Sequence, residues 1–104
     1  MKLLQDYQGQ DIRLTDERLA HILEHPEMAG MERAIAETLL HPQKVLQSLS
    51  DIETRMYHRL YAGTMVGDKY LCVVVKVSGI DAFVLTAYLT DKVKRGVQLW
   101  PIDK

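Results

Sequence analysis

Two histidines stand four positions apart in the segment His-Ile-Leu-Glu-His at residues 21–25. On a helix this spacing puts His21 and His25 on one side. At about 100° per residue, that side lies away from the apolar stripe of Leu19 and Leu23. An imidazole titrates near neutral pH, so either ring could donate or accept a proton in a catalytic step. Both histidines are therefore candidate acid–base residues.

Two other interpretations of this pair stay open. A polar helix face, with a histidine next to Pro26, would carry no chemistry. A metal site would need a third ligand, which the neighbouring sequence does not offer. The order of residues also differs from the His-Glu-x-x-His of zinc proteases. We expect neither a metal nor another cofactor.

Arginine and tyrosine alternate with other residues at 55–61, Arg-Met-Tyr-His-Arg-Leu-Tyr. In a strand, alternate side chains share a face, which groups Arg55, Tyr57, Arg59 and Tyr61. A guanidinium grips phosphate through its planar fork, and a phenol ring can stack on a nucleobase. The segment thus suits phosphate and base binding, although a solvated strand face with ordinary cross-strand pairs would show the same alternation.

Two later segments could extend that surface. Lys76 takes the polar side of an apolar strand at 69–77. Thr86 and Tyr88 lie opposite the apolar positions of a strand at 82–90, which are Phe83, Leu85, Ala87 and Leu89. If the strands are neighbours, one surface combines five side chains: Tyr57, Arg59, Lys76, Thr86 and Tyr88. We predict that this surface, with Arg55 beside it, binds the substrate.

These candidates must be positioned by a set of strands and helices. Thr15 is a good N-cap, Asp16 and Glu17 suit a first helical turn, and a proline after His25 ends the helix near there. The patterns predict strands at 3–7 and 11–14 joined by a turn at Gly9, helices at 16–25 and 31–41, a single turn at 42–46, and strands at 54–62, 69–77, 82–90 and 97–100. That order predicts an α+β fold in which two N-terminal helices pack on one face of an antiparallel β-sheet.

Composition narrows the classes of function. The chain has 104 residues, with 13 Lys+Arg against 14 Asp+Glu and a formal net charge of −1. This length fits one domain over residues 1–104, and the charge balance excludes binding of nucleic acid by bulk charge alone. Acids concentrate in the helical half and cations in the sheet half. No apolar run approaches the roughly 20 residues of a membrane helix, so we expect a cytoplasmic protein with no membrane partner.

Several other residues favour a structural interpretation. Cys72 is the only cysteine and lies in an apolar run, which indicates a buried thiol and excludes an intrachain disulfide. His41 before a proline is typical of a helix end, His58 of a buried histidine, and Trp100 of a terminal packing anchor. The basic residues at 92–95 are most simply a solvated turn.

Together, these segments resemble a superfamily of small nucleases with the barnase/EndoU/colicin/RelE-like fold, related to phage-encoded and polymorphic-toxin domains. Residues 14–26 resemble its opening helix, and residues 12–101 are covered in all. The other matching motifs are His41-Pro42-x-x-Val45, Tyr57-His58-Arg59, and residues 83–90 followed by Lys94-Arg95-Gly96-x-x-Leu99-Trp100.

The resemblance implies a metal-independent ribonuclease in which the ribose 2′-hydroxyl attacks the adjacent phosphate. It implies His21 as the acid–base residue with His25 as its partner, and Arg59 as the group that neutralises the phosphorane. Tyr57, Thr86 and Tyr88 would contact phosphate or base. RNA would be the substrate and an antitoxin protein a partner. The alternative is a catalytically inactive module of the same fold that binds a protein or nucleotide on the face of Tyr57, Arg59, Thr86 and Tyr88.

Overall fold

Seven strands and two short helices make up the chain in the computed structural model, which describes residues 1–102. The helices are α1 (Asp16–Leu23) and α2 (Glu32–Leu40), with a 3-10 turn at Pro26–Met28 between them. The strands are β1 (Lys2–Gln5), β2 (Asp11–Leu14), β3 (Lys44–Gln47), β4 (Thr54–Thr64), β5 (Gly67–Ser78), β6 (Asp81–Thr90) and β7 (Val97–Trp100).

All seven strands form one sheet in the order β1-β2-β6-β5-β4-β3-β7. Neighbours are antiparallel except β2 and β6, which run parallel where Arg13 faces Phe83. The predicted fold is therefore wrong. The sheet is mixed and dominates the chain, and the helices are short insertions after the β1–β2 hairpin rather than an N-terminal layer on an antiparallel sheet. Alternation in a sequence indicates where strands lie, but it does not fix the direction in which a distant strand joins.

Capping residues decide where α1 begins and ends. The Thr15 side chain accepts a hydrogen bond from the backbone N–H of Arg18 at 3.2 Å, which confirms the predicted N-cap. The helix ends at Leu23 rather than near His25, because the residue before a proline is disfavoured in the helical conformation. Within residues 1–102, no helix combines the length and apolar character needed to cross a membrane.

Both helices pack on one side of the sheet, here called the helix-covered face. Their buried side chains Ile22, Ile35 and Leu39 join the core with residues of the central strands, including Val73, Val75 and Val84. An irregularity in the β5–β6 pairing leaves Leu85 without a partner, so Val84 and Ala87 both point into the core. Phe83, expected on the apolar face, lies on the opposite side of the sheet, where Arg13 stacks on its ring.

The connection from β6 to β7 must cross three strands, since β5, β4 and β3 lie between them. Four strand spacings amount to about 19 Å, while seven residue steps reach at most about 24 Å. Residues 91–96, here called the strap, are therefore close to extended. The backbone N–H of Lys94 donates to Nε2 of His58 at 3.1 Å. The strap thus passes over the side of the sheet away from the helices, here called the second face.

β3 and the strap lie in close contact. The predicted single turn at 42–46 is wrong, because Lys44–Gln47 is a strand paired with both β4 and β7, and Val45 is fully buried. A Cβ added at Gly96 would lie 2.3 Å from the carbonyl oxygen of Gln47. Only glycine therefore permits the strap to approach β3 this closely.

Candidate functional site

The arginines and tyrosines of β4 share one face, as predicted, but it is the helix-covered face. The register pairs Tyr57 with Val73 and Arg59 with Leu71, and both partners are core residues. Tyr57 is fully buried. This row of side chains is therefore packed under the helices and the β1–β2 turn, and it opens to a ligand only near one end.

Asp6 satisfies the buried Tyr57 hydroxyl. The tyrosine donates to Oδ2 of Asp6 at 2.8 Å, while Oδ1 accepts the backbone N–H groups of Gln8 and Gln10 at 2.9 and 3.0 Å. Burial, followed by the bond to Asp6, raises the pKa of Tyr57 above its ordinary value. Tyr57 thus remains a protonated donor that anchors the β1–β2 turn, which does not fit the catalytic role implied by the resemblance.

Arg59 is held from two sides near the end of α2. Its Nη1 donates to the carbonyl oxygen of His41 at 2.8 Å, and its Nε lies 3.4 Å from Oε1 of Glu37. The same carboxylate accepts the Tyr61 hydroxyl at 2.6 Å, a bond that, with Arg59, lowers the pKa of Glu37. No acceptor among residues 1–102 takes the Nη2 donors of Arg59. The guanidinium is oriented and can still donate to a ligand.

A cavity with a volume of about 640 Å³ lies beside this guanidinium. Here called the Arg59 pocket, it is lined by Tyr7, Gln8, Leu40, His41, Pro42, Arg59, Leu99, Trp100 and Ile102. The rings of Tyr7 and Trp100 lie 5.3 Å apart at 39°, and Trp100 keeps 38% of its surface exposed. Apolar walls, two aromatic rings, an imidazole and a cation together suit a flat ligand that carries an anion.

The predicted acid–base pair does not form a unit in the structure. His21 lies on the exposed side of α1, with Nδ1 3.6 Å from Oε2 of Glu24. His25 lies beyond the end of α1 in extended conformation, so the two rings do not share a helix face. The hollow beside His21, of about 390 Å³, is lined by Glu17, Arg18, Ala20, His21 and Glu24 and shares no residue with the Arg59 pocket.

The predicted common surface across three strands is also wrong. Lys76, Thr86 and Tyr88 lie on the second face, whereas Tyr57 and Arg59, with Arg55, lie on the helix-covered face. β4, β5 and β6 are neighbours, but the side of β4 that carries its arginines and tyrosines faces the hydrophobic core. Lys76 is in addition neutralised by Asp51 at 2.6 Å and Glu53 at 3.5 Å. Arg55 donates to Oε1 of Gln10 at 3.2 Å.

A second polar group lies buried beneath the strap. His58 and Cys72 are paired across β4 and β5, and Tyr88 faces Cys72 from β6. Burial raises the pKa of Cys72 to about 11 and lowers that of His58, so both groups are neutral at pH 7. The thiol is therefore unreactive. The sequence-based interpretations of His58 and Cys72 as buried residues are confirmed.

Sequence reasoning missed four residues of the site: Asp6, Tyr7, Gln8 and His41. The first three belong to the β1–β2 turn, and their role depends on the fold of that turn against β4 and β7. His41 carried a visible signal, since it stands before Pro42 at the end of a helix, but that position indicates only a helix end. Trp100 lines the pocket as well as packing on Tyr7.

Residues 1–102 contain no cluster of three or more His, Cys, Asp or Glu side chains able to hold a metal ion. Comparisons with protein-family models, with curated proteins and with solved structures found no match to this chain. The functional argument therefore rests on the Arg59 pocket itself.

Proposed function

We propose that this chain is a cytoplasmic protein that binds single-stranded RNA at the Arg59 pocket and cleaves its backbone without a metal ion. The observation that carries the proposal is that one cavity is lined by an arginine, a histidine and two neighbouring aromatic rings. These are the groups that hold a phosphate, move a proton and support an unpaired base.

Each lining residue has a role that its position supports. Arg59, oriented by Glu37 and the His41 carbonyl, directs its remaining donors to a phosphate. Trp100 and Tyr7 offer ring surfaces to a base. Gln8 supplies an amide that can pair with a base edge.

His41 is the candidate general base. It lines the Arg59 pocket, and its backbone carbonyl oxygen accepts from Arg59 Nη1 at 2.8 Å, so the residue lies next to the guanidinium. The imidazole takes the proton of the ribose 2′-hydroxyl as that oxygen bonds to phosphorus. The bond from phosphorus to the 5′-oxygen breaks, and solvent protonates the leaving oxygen because the pocket is open. The products are a 2′,3′-cyclic phosphate and a 5′-hydroxyl end.

The test is incubation of the purified chain with end-labelled single-stranded RNA in the presence of a chelator. We expect cleavage to 2′,3′-cyclic phosphate ends, lost by about 10²-fold or more in His41→Ala and strongly reduced in Arg59→Lys, which keeps the charge but not the fork. Arg33→Ala, an exposed arginine of α2, is the matched control and should cleave normally. Thermal melts of each variant separate loss of activity from loss of fold.

His21→Ala distinguishes this site from the one that the sequence predicts. Loss of cleavage in His21→Ala with normal cleavage in His41→Ala would move the chemistry to α1 and overturn the assignment. Uncleaved RNA at high concentrations of wild-type protein would exclude the nuclease.

One observation favours a second function, RNA or nucleotide binding without turnover. The Arg59 pocket contains a single imidazole, and Glu37 is engaged by both Tyr61 and Arg59. A site with no second group to protonate the leaving oxygen could bind without cleaving. Saturable binding of RNA that Arg59→Lys weakens, with intact RNA recovered afterwards, would establish this second function.

A further inference from the structure

We propose that the strap and β3 form a second contact surface for the RNA backbone, which extends the substrate beyond the nucleotide held in the Arg59 pocket. This surface, here called the basic patch, consists of Lys44, Lys92, Lys94 and Arg95. The inference rests on the proposed function, since it assumes an RNA in the pocket. It implies that the preferred ligand is a single strand of several nucleotides rather than a free mononucleotide.

Lys44 and Lys94 lie together on the second face, and Lys92 and Arg95 are neighbours of Lys94 along the strap. Lys44 is paired with His58 across β3 and β4, and the Lys94 backbone bonds to the same histidine, so strap and strand meet there. The positive charges of Lys94 and Lys44 both contribute to the lowered pKa of His58, after its burial. All four side chains belong to exposed residues.

Acidic side chains of the sheet and its loops form ion pairs with cations outside the basic patch. Arg13 pairs with Asp81, Lys76 with Asp51 and Glu53, and Lys69 with Asp91, the acid that begins the strap. Among residues 1–102, none of the four patch cations forms an ion pair. A concentration of unneutralised cations on one surface attracts a polyanion and holds it through release of counterions.

The strap presents these cations from a fixed backbone. Its length leaves little slack, Lys94 N–H is bonded to His58, and Gly96 is pressed against the Gln47 carbonyl. The Lys94 ammonium lies 5.2 Å from the centre of the Tyr88 ring, which holds the side chain against the sheet. A strap with a fixed backbone, and a Lys94 side chain held on Tyr88, loses less entropy on binding than a flexible segment would.

Continuity with the pocket makes RNA the favoured occupant. The strap runs directly into β7, whose last residue, Trp100, lines the Arg59 pocket on the other side of the sheet. A strand that stacks a base on Trp100 can pass around the β7 edge and meet Arg95 next. The helices carry acids on the other flank of the molecule; Asp16 and Glu32 are paired with the N-terminus and Lys2, and Glu17, which forms no ion pair among residues 1–102, repels phosphate there.

The experiment measures binding of the full chain to a fluorescent single-stranded RNA of about 12 nucleotides, within the site sizes of other single-strand binders, and to adenosine monophosphate. A combined Lys92→Gln, Lys94→Gln and Arg95→Gln variant keeps the Lys94 backbone donor. We expect weaker binding of the RNA and unchanged binding of the mononucleotide. In the variant, the slope of log affinity against log salt should fall by about 2, since each lost phosphate contact on a single strand contributes about 0.7. Arg33→Gln, which removes one exposed cation outside the basic patch, is the control and should lower the salt slope by much less.

Failure of this inference is distinct from failure of the proposed function. An unchanged salt slope in the combined variant would overturn the basic patch, even if Arg59→Lys still weakens binding of the mononucleotide. Unchanged binding of the mononucleotide in Arg59→Lys would instead count against the pocket. A poly-glutamate peptide bound as tightly as the RNA at the same salt concentration would also overturn the assignment, because it would indicate an acidic protein as the partner.

Discussion

The buried carboxylate of Asp6 organises the site at the scale of single residues. It accepts three hydrogen bonds, two from the turn that carries Tyr7 and Gln8 and one from Tyr57 in the core. A carboxyl group with 1% of its surface exposed is tolerated because it is hydrogen-bonded within the protein. Tyr7 and Gln8 therefore line the pocket from a turn that is locked to β4.

This arrangement predicts a stability effect for Tyr57→Phe. The substitution leaves Asp6 Oδ2 buried without its donor, and hydrogen bonds to charged groups contribute about 1.5–3 kcal/mol. We expect the free energy of unfolding, measured by urea denaturation, to fall by about that amount. Tyr70→Phe, at a half-buried tyrosine with no side-chain hydrogen bond within residues 1–102, is the matched control and should change little.

RNA cleavage per folded molecule should survive Tyr57→Phe, because the hydroxyl faces Asp6 rather than the pocket. Equal losses of stability in the two phenylalanine variants would refute the structural role. Loss of cleavage without loss of stability would instead restore the catalytic role that the sequence resemblance implies.

At the scale of elements, His58 connects the strap to the sheet through a hydrogen bond that depends on pH. Nε2 accepts the Lys94 N–H, so a protonated imidazole would lose this bond. Its charge would be buried and would face the cations Lys94 and Lys44, and the backbone of Lys44 and Met56 offsets only part of that cost. The folded-state pKa of His58 lies below its ordinary 6.5, so between these two values the unfolded chain binds more protons.

We therefore expect the stability supplied by His58 to be complete above about pH 6.5 and to decline as the pH falls below it. The measurement is the free energy of unfolding at pH 7 and pH 5 in the wild type and in His58→Gln. The variant retains a polar group but does not titrate, so its loss on acidification should be smaller. The three exposed histidines are present in both proteins, so they do not affect the comparison. An identical pH dependence of the free energy of unfolding would show that His58 does not make the attachment of the strap pH-dependent.

The elements show which parts of the architecture can be read from sequence. The β1–β2 hairpin, both helices and the long strands β4, β5 and β6 follow from periodicity and caps, because those signals are local. The sequence predicts a turn where β3 lies, because this four-residue strand after Pro42 forms only by pairing with β4 and β7. The irregularity at Leu85 reverses the expected face of Phe83, and no local pattern announces it.

Prediction of the candidate site from the sequence required knowing which side of β4 faces the hydrophobic core. Arg55, Tyr57, Arg59 and Tyr61 read as a polar surface by residue type, yet Tyr57 is the bulky group that fills the core under the helices. Alternation predicts that these residues share a face, but coverage of that face depends on where the helices and the strap cross the sheet. Arg59 lines a cavity, but its neighbours there differ from the ones that the sequence predicts.

For the whole molecule, the near-neutral charge conceals a division between its two sides. The acids of the helices lie on the helix-covered side, where Glu32 pairs with Lys2 and Glu37 with Arg59 at the pocket, while the unpaired cations of the basic patch lie on the second face. A net charge of −1 then limits non-specific attraction of RNA without weakening contacts at these two places. Recognition through local contacts of this kind fits an RNA strand that wraps one edge of the sheet.

If the chain cleaves RNA inside a cell, its expression should arrest growth, as expected for the toxin of a toxin–antitoxin pair. Induced expression of the wild type is compared with His41→Ala, with Arg33→Ala as the control and with immunoblots showing equal amounts of protein. We expect arrest by the wild type and Arg33→Ala and growth with His41→Ala, because only the last lacks the proposed base. Arrest that persists in His41→Ala would separate toxicity from the Arg59 pocket, whereas normal growth with abundant wild-type protein would favour RNA binding without cleavage. A neutralising partner protein, if one exists, would have to cover Arg59 and Trp100 at the β7 edge, so its binding should protect the Trp100 fluorescence from a soluble quencher.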